Sequence, residues 1–210
     1  MCSSDLIRVI SGEEEAAYSF LAVQRGLSLM GELLVIDIGG GSTEFIRGDA
    51  MGCSQAASVN VGSVRLTERF FHSDTVQAEE VAALNEAVDR ELAPLGEKFL
   101  CADQTLTLVG IAGTFTTLTA VEKQLAHYNH AAVHGSQLSL AEVRRQIRLY
   151  QGKTIAERKR MAGLEAKRAD VILAGACLIE RIVNLLRADS VIVSDQGVRY
   201  GLLHERAQTH

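Results

Sequence analysis

Three consecutive glycines, Gly39 to Gly41, interrupt two strand-like runs in residues 34–45, LVIDIGGGSTEF. Residues 32–38, ELLVIDI, are almost continuously apolar, as a strand buried on both faces would be. Residues 42–49, STEFIRGD, alternate like a half-buried strand, and 53–61, CSQAASVNV, fit a third. The glycines therefore join strand to strand. A dinucleotide fingerprint would need glycine where Glu44 stands, and a Walker loop would need a GK[ST] ending that does not follow. A hairpin of bare backbone N–H groups can instead form an anion-binding concavity. The alternative is an ordinary glycine-rich hairpin.

The flanking segments set the fold class. A short strand over 7–10 precedes a helix whose Ser11 and Glu14 stand at capping-box spacing, with Glu13 and Glu15 completing an acidic first turn. Gly26 and Gly31 are expected to end it. Val81, Leu84, Val88, Leu92, Leu95 and Phe99 recur at helical intervals over 76–99, where Pro94 should kink or restart the helix. A buried strand, TLTLVGIAG, leads into a helix, TFTTLTAVEKQL; Ser139 with Glu142, and Thr154 with Glu157, mark two more helix starts. A buried helix over 171–186, a strand SVIVSD and a last helix from Val198 close the chain. Strands in a meander followed by alternating strands and helices give an α/β fold with a mixed sheet.

A second glycine loop repeats the theme. VGIAGTFTTL runs strand, Gly110, Ala112-Gly113, then Thr114 as an expected N-cap, and helix N-termini hold phosphates through free N–H groups. A third strand–loop–helix passage carries Asp195 and Gly197. Two such loops after buried strands suit a phosphate clamp. Net charge is −5, so an anion needs a local basic site, and nothing draws the chain as a whole to nucleic acid or an anionic membrane. Cys2, Cys53, Cys101 and Cys177 form no CxxC pair and read as thiols of a reducing cytoplasm. No apolar run reaches the ~20 residues of a membrane span. The histidines of HYNHAAVHG lack an HExxH spacing and read as a polar loop rather than a zinc site.

The stretches ISGEEEA, LVIDIGGGSTE, VNVGSVRLTERF, GTFTTL, GLEAKRADVILAG and SDQGVRYGLL occur in the order of the exopolyphosphatase and guanosine pentaphosphate phosphohydrolase family, which the chain resembles. That family is a branch of the actin-like phosphotransferase superfamily, so the resemblance implies a ribonuclease-H-like lobe over 31–203. Residues 1–30 would be the remnant of a first lobe and 204–210 a tail. It implies hydrolysis of terminal phosphoanhydrides in polyphosphate or guanosine pentaphosphate, with Mg2+ as cofactor and a homodimer as the family expectation. By the motif, Glu15 is the general base, with a capping role more natural for Glu14. Asp37, Glu44 and Glu15 would serve the metal or its water; a turn-capping aspartate and a solvent-facing glutamate are the plainer roles for Asp37 and Glu44. Gly39, Gly40, Gly41, Ser42, Thr43, Gly113 and Thr114 would hold phosphate. Arg65, the run Arg158, Lys159, Arg160, Lys167 and Arg168, and Arg199 are candidates for an outer basic track, although charge runs are usually solvated helix faces.

The family opens with about a hundred more residues, roughly one lobe, including a first phosphate loop that nothing here matches. The leader MCSSDL resembles a translated sequencing adapter. Truncation, and inactivity of the chain alone, are the corresponding expectations. A non-catalytic nucleotide-binding regulator and another actin-like ATPase or sugar kinase are the competing classes. Glu15 argues against the first, because pure binding needs no base; SGEEEA and VRLTERF argue against the second.

Overall fold

The computed structural model describes residues 9–99 and 106–208. The leader, Ile7, Cys2 and Cys101 lie outside them. Six strands form one sheet in the order β3-β2-β1-β4-β6-β5. The meander is β1 (Leu33–Ile38), β2 (Thr43–Asp49) and β3 (Gly52–Val59), paired antiparallel. β4 (Thr107–Ile111) lies parallel to β1, and β6 (Ser190–Val193) parallel to β4. β5 (Ser136–Ser139), which no alternation in the sequence announces, closes the far edge antiparallel to β6.

Burial of β1 on both faces follows from its two neighbouring layers. Leu34, Ile36 and Ile38 enter a large core with α3 (Ala78–Phe99), α6 (Leu140–Gln151) and α8 (Ile172–Leu185). Leu33 and Val35 enter a smaller core under α1 (Gly12–Leu27), with Ala16, Phe20 and Val23. α9 (Val198–Gln208) packs on α1, bringing the two ends of the described chain together. The α/β class and mixed sheet match the expectation from sequence.

Local rules hold at most boundaries and fail at three. Ser11 and Glu14 make the full capping box, with Ser11 N–H donating to Glu14 Oε2 at 2.9 Å and Glu14 N–H to Ser11 Oγ at 3.2 Å. α1, however, runs through Gly26 to Leu27 and ends on Ser28 in the left-handed region, φ 50°. α3 continues through Pro94 instead of breaking there. Pro94 is on the exposed side, so the carbonyl that loses its partner can turn to water. Thr114 does not cap α4 (Ala112–Glu122): Ile111 is the N-cap residue, and Thr114 lies within the first turn, packed against Gly175 of α8.

Between the 154–157 helix start and α8 the chain has little regular structure: a four-residue helix, α7 (Ile155–Arg158), and a 3-10 turn, Ala166–Arg168. One buried arginine secures it. Arg158 Nε donates to the Tyr150 carbonyl at 2.9 Å and Nη1 to the Ala169 carbonyl at 3.3 Å. Arg158 therefore belongs to the scaffold and is removed from the solvated basic run proposed for it, whereas Lys167 and Arg168 are carried to the mouth of the glycine loops.

Candidate active site

Asp37 is the penultimate residue of the apolar strand β1, on the α1 side of the sheet, directly opposite Glu44 in register. Glu44 accepts a hydrogen bond from Ser58 Oγ at 3.0 Å. Glu15 stands in the exposed first turn of α1, its backbone N–H bonded to the Ser11 carbonyl and its carboxylate not used by the capping box. All three acids line one hollow of about 530 Å³. Burial, then the negative charges of Glu44 and Glu15, push the Asp37 carboxyl up from 3.8 to about 6. Such crowding of acids is unfavourable without a cation. No three of the described acids, histidines and cysteines stand close enough together to make a complete metal cage. The donor set therefore suits an ion held by one or two carboxylates and completed by water and phosphate, which is the habit of Mg2+.

The glycine loop is held from behind. Ser63 N–H donates to the Gly39 carbonyl, and Val64 and Arg65 N–H both reach the Gly40 carbonyl, each at 3.0 Å. These are the first amides of α2 (Ser63–Phe70), whose N-cap residue is Gly62. A methyl group on Gly62 would fall 2.5 Å from the Gly40 carbonyl carbon, so glycine is required by the close approach. Arg65 Nε ties down the Gly41 carbonyl at 3.0 Å. With these carbonyls engaged, the N–H groups of Gly40 and Gly41 donate to no backbone carbonyl among the described residues. Ser42 is half-buried at the turn; Thr43 is fully buried, its hydroxyl donating to the Val61 carbonyl at 2.7 Å. The Thr43 hydroxyl thus serves the strand, and any contact of Thr43 with phosphate falls to its backbone.

The second loop faces the first. Ala112 has φ 69°, unusual for a residue with a Cβ, and turns β4 sharply into α4, which has no side-chain cap. The amides of its first turn are left as donors. A methyl on Gly113 would fall 1.9 Å from the Arg168 guanidinium, so bare backbone and cation lie in contact there. Thr114, at 3% exposure, offers its backbone rather than its hydroxyl. Gly39, Gly40, Gly113, Lys167 and Arg168 line one hollow of about 460 Å³. Gly113 and Arg168 also line a second, of about 410 Å³, with Asp37 at its acidic end and Tyr128, Glu165, Asp195 and Arg199 on its walls. Arg168 pairs with Glu165 at 3.7 Å, and the Asp170 carboxylate accepts from the Val171 N–H at 3.0 Å. Sequence reasoning assigned no role to Tyr128 or Glu165, since neither sits in a chemically distinctive spacing.

The three histidines fall partly into order. His130 Nδ1–H donates to Asp195 Oδ2 at 2.8 Å and its ring stacks on His134, centroids 5.0 Å apart. His134 Nδ1 accepts from the Asp195 N–H at 3.2 Å, and Nε2–H reaches the Gly26 carbonyl at 3.2 Å. Both nitrogens of His134 are committed to holding the Asp195 loop against the end of α1. No metal-ligating cluster forms among the described residues.

A family model described as the Ppx/GppA phosphatase family matches residues 6–210. Exopolyphosphatase 2 of Mycobacterium tuberculosis is 35% identical over 199 residues, covering 92% of this chain and 62% of that protein. Guanosine-5'-triphosphate,3'-diphosphate pyrophosphatase of Vibrio vulnificus is 30% identical over 202 residues, covering 95% of the chain and 38% of that protein. The chain therefore spans under two thirds of the length of these relatives. A crystal structure of the Aquifex aeolicus Ppx/GppA family member superposes with TM-score 0.89 at 34% identity, over 99% of this chain and 66% of that one. A second, the type II variant of the Aquifex aeolicus phosphatase, superposes with TM-score 0.86 at 36% identity. With its ordered motifs, mixed sheet and facing glycine loops, the chain belongs to the Ppx/GppA phosphatase family.

Proposed function

We propose that this protein hydrolyses a terminal phosphoanhydride, releasing orthophosphate from polyphosphate or guanosine pentaphosphate. The observation that carries the reading is the placement of Asp37 on the shared wall between an acidic hollow containing Glu15 and a trough walled by Gly113 and Arg168. A phosphate chain gripped by the glycine-loop amides and Arg168 would present its end to the acids. Water between Glu15 and the terminal phosphorus gives a proton to the Glu15 carboxylate as its oxygen bonds to phosphorus. The bridging P–O bond breaks and the remaining chain leaves with that oxygen.

Asp37 and Glu44 would hold Mg2+, which supplies neutralisation of phosphate oxygens and a template for the attacking water. Gly40 and Gly41 contribute N–H donors, Arg168 and Lys167 their positive charge. Relatives are named for both kinds of substrate, and the proposed chemistry is common to the two.

The test is orthophosphate release from long-chain polyphosphate and from guanosine pentaphosphate, with Mg2+ and with chelator, by the protein expressed from its complete gene. Glu15→Gln is expected to lower turnover by about 10²–10⁴ with little change in binding. Turnover within about tenfold of wild type would remove Glu15 from the base role. Binding of either substrate without turnover in the wild type would favour a non-catalytic regulator instead.

A further inference from the structure

Two of the cations at the glycine loops are already met by an acid of the same chain. Lys167 Nζ lies 3.1 Å and Arg168 Nε 3.7 Å from one oxygen, Glu165 Oε2. The Nη1 and Nη2 atoms of Arg168 lie instead against Gly113, where a Cβ would stand. Glu165 lines the trough, Lys167 the clamp hollow and Arg168 both, so the carboxylate reaches the cations from the neighbouring side. The next acid along, Asp170, is bonded to the Val171 amide, and no other acid among the described residues pairs with Lys167 or Arg168.

The backbone of this acid is fixed while its side chain is not. Arg168 N–H donates to the Glu165 carbonyl at 2.8 Å, closing the turn that carries all three residues. Gly163, at φ +82°, lets the preceding loop press onto the Ala120 carbonyl of α4. The Glu165 side chain caps nothing and keeps 47% of its surface exposed. An anionic oxygen shared by an ammonium and a guanidinium is what a phosphate oxygen would make of the same two groups. Carboxylate and phosphate therefore compete for Lys167 and Arg168. An exposed ion pair of this kind is weak, so a phosphate chain that also gains the glycine-loop amides displaces it. The short tether keeps the carboxylate at high local concentration, ready to return. Every anion that takes these cations meets the same competitor, substrate and shortened chain alike. Binding is thus weakened uniformly and the bond-breaking step is left alone.

We propose that Glu165 is an internal stand-in for substrate phosphate: it competes for Lys167 and Arg168, loosens the clamp and speeds release of the shortened chain. The inference rests on the phosphate-clamp reading above and adds to it a residue that governs affinity without touching the reacting atoms.

The experiment is calorimetric titration of the protein expressed from its complete gene, in Mg2+, with imidodiphosphate, a pyrophosphate analogue whose P–N–P bridge resists hydrolysis. Steady-state hydrolysis of tripolyphosphate is measured beside it. Glu165→Gln is expected to bind imidodiphosphate about three- to fivefold tighter, since exposed pairs are worth roughly that much. KM for tripolyphosphate is expected to fall by a similar factor with no rise in kcat. A residue that merely shaped the loop would weaken binding when changed, so unchanged or weaker binding by Glu165→Gln would overturn the proposal. In a Lys167→Met background the same change is expected to gain less, because one of the two contested cations is gone. An equal gain in both backgrounds would mean that Glu165 acts only through its charge at a distance, and the stand-in would be overturned. Failure of the clamp itself reads differently: imidodiphosphate would bind neither wild type nor Glu165→Gln, and the stand-in would fall with it.

Discussion

Asp37 shows how a single residue can be costly to the fold and useful to the site. Its carboxyl is raised from 3.8 to about 6 by burial and by the charges of Glu44 and Glu15, so the folded protein holds its proton more tightly than the unfolded chain does. The stabilising effect of that proton is complete below about pH 4 and is lost as pH rises through about 6. At pH 8 the ionised Asp37 then costs on the order of 2–3 kcal/mol. Asp37→Asn should therefore unfold at higher denaturant than wild type at pH 8 without Mg2+, and the gain should vanish near pH 4. Hydrolysis should fall in the same variant, so stability and activity move in opposite directions. Equal denaturation midpoints at pH 8 would refute the electrostatic account. The sequence placed an acid at the end of an apolar strand, which was enough to suspect Asp37. It could not show that Thr43 spends its hydroxyl on Val61, because the strand's pleat decides that and one residue's shift would reverse it.

At the scale of elements, the glycine loop is positioned by a helix rather than by itself. The first amides of α2 grip the carbonyls of Gly39 and Gly40, which leaves the N–H groups of the loop for a ligand. Gly62 makes this contact, since a Cβ there would overlap three backbone atoms of Gly40 and Gly41 at 2.5–2.6 Å. Backbone cannot swing aside as a side-chain end can. Gly62→Ala should cost about 1–3 kcal/mol in a denaturant melt, as overpacking does, and should raise the substrate KM more than Glu15→Gln does. Unchanged stability would mean that α2 slides freely on the loop. The periodicity of α3 and the capping pairs Ser11–Glu14, Ser139–Glu142 and Thr154–Glu157 were legible because each depends only on near neighbours. β5 was not, because its four residues acquire strand geometry only by pairing with β6. The run of basic residues over 158–168 was equally opaque. Whether a guanidinium is buried like Arg158 or reaches the clamp like Arg168 is decided by contacts with residues such as Tyr150 and Gly113.

At the scale of the molecule, the proposed base is held by the opposite end of the chain. α1, which carries Glu15 in its first turn, rests on the sheet through Ala16, Phe20 and Val23 and is flanked by α9. Gly201 of α9 sits where a Cβ would lie 2.0 Å from the Tyr18 carbonyl, one turn from Glu15. Tyr18 also donates its hydroxyl to Glu205 at 3.0 Å, a second bond between the same two helices. His134, bonded to the Gly26 carbonyl, ties the other end of α1 to the Asp195 loop. The acidic hollow and the phosphate trough thus share one frame, and the frame should transmit damage. Gly201→Val would force α9 off α1 without replacing any group proposed to touch substrate or metal. The expected result is lower thermal stability, faster amide exchange across 12–27 than across β1, and a fall in kcat larger than any change in KM, because a base misplaced by about 1 Å can cost on the order of 10²-fold. Normal kcat with reduced stability would show that α1 keeps Glu15 in place through the sheet alone, and α9 would then be support for the fold without a part in the chemistry.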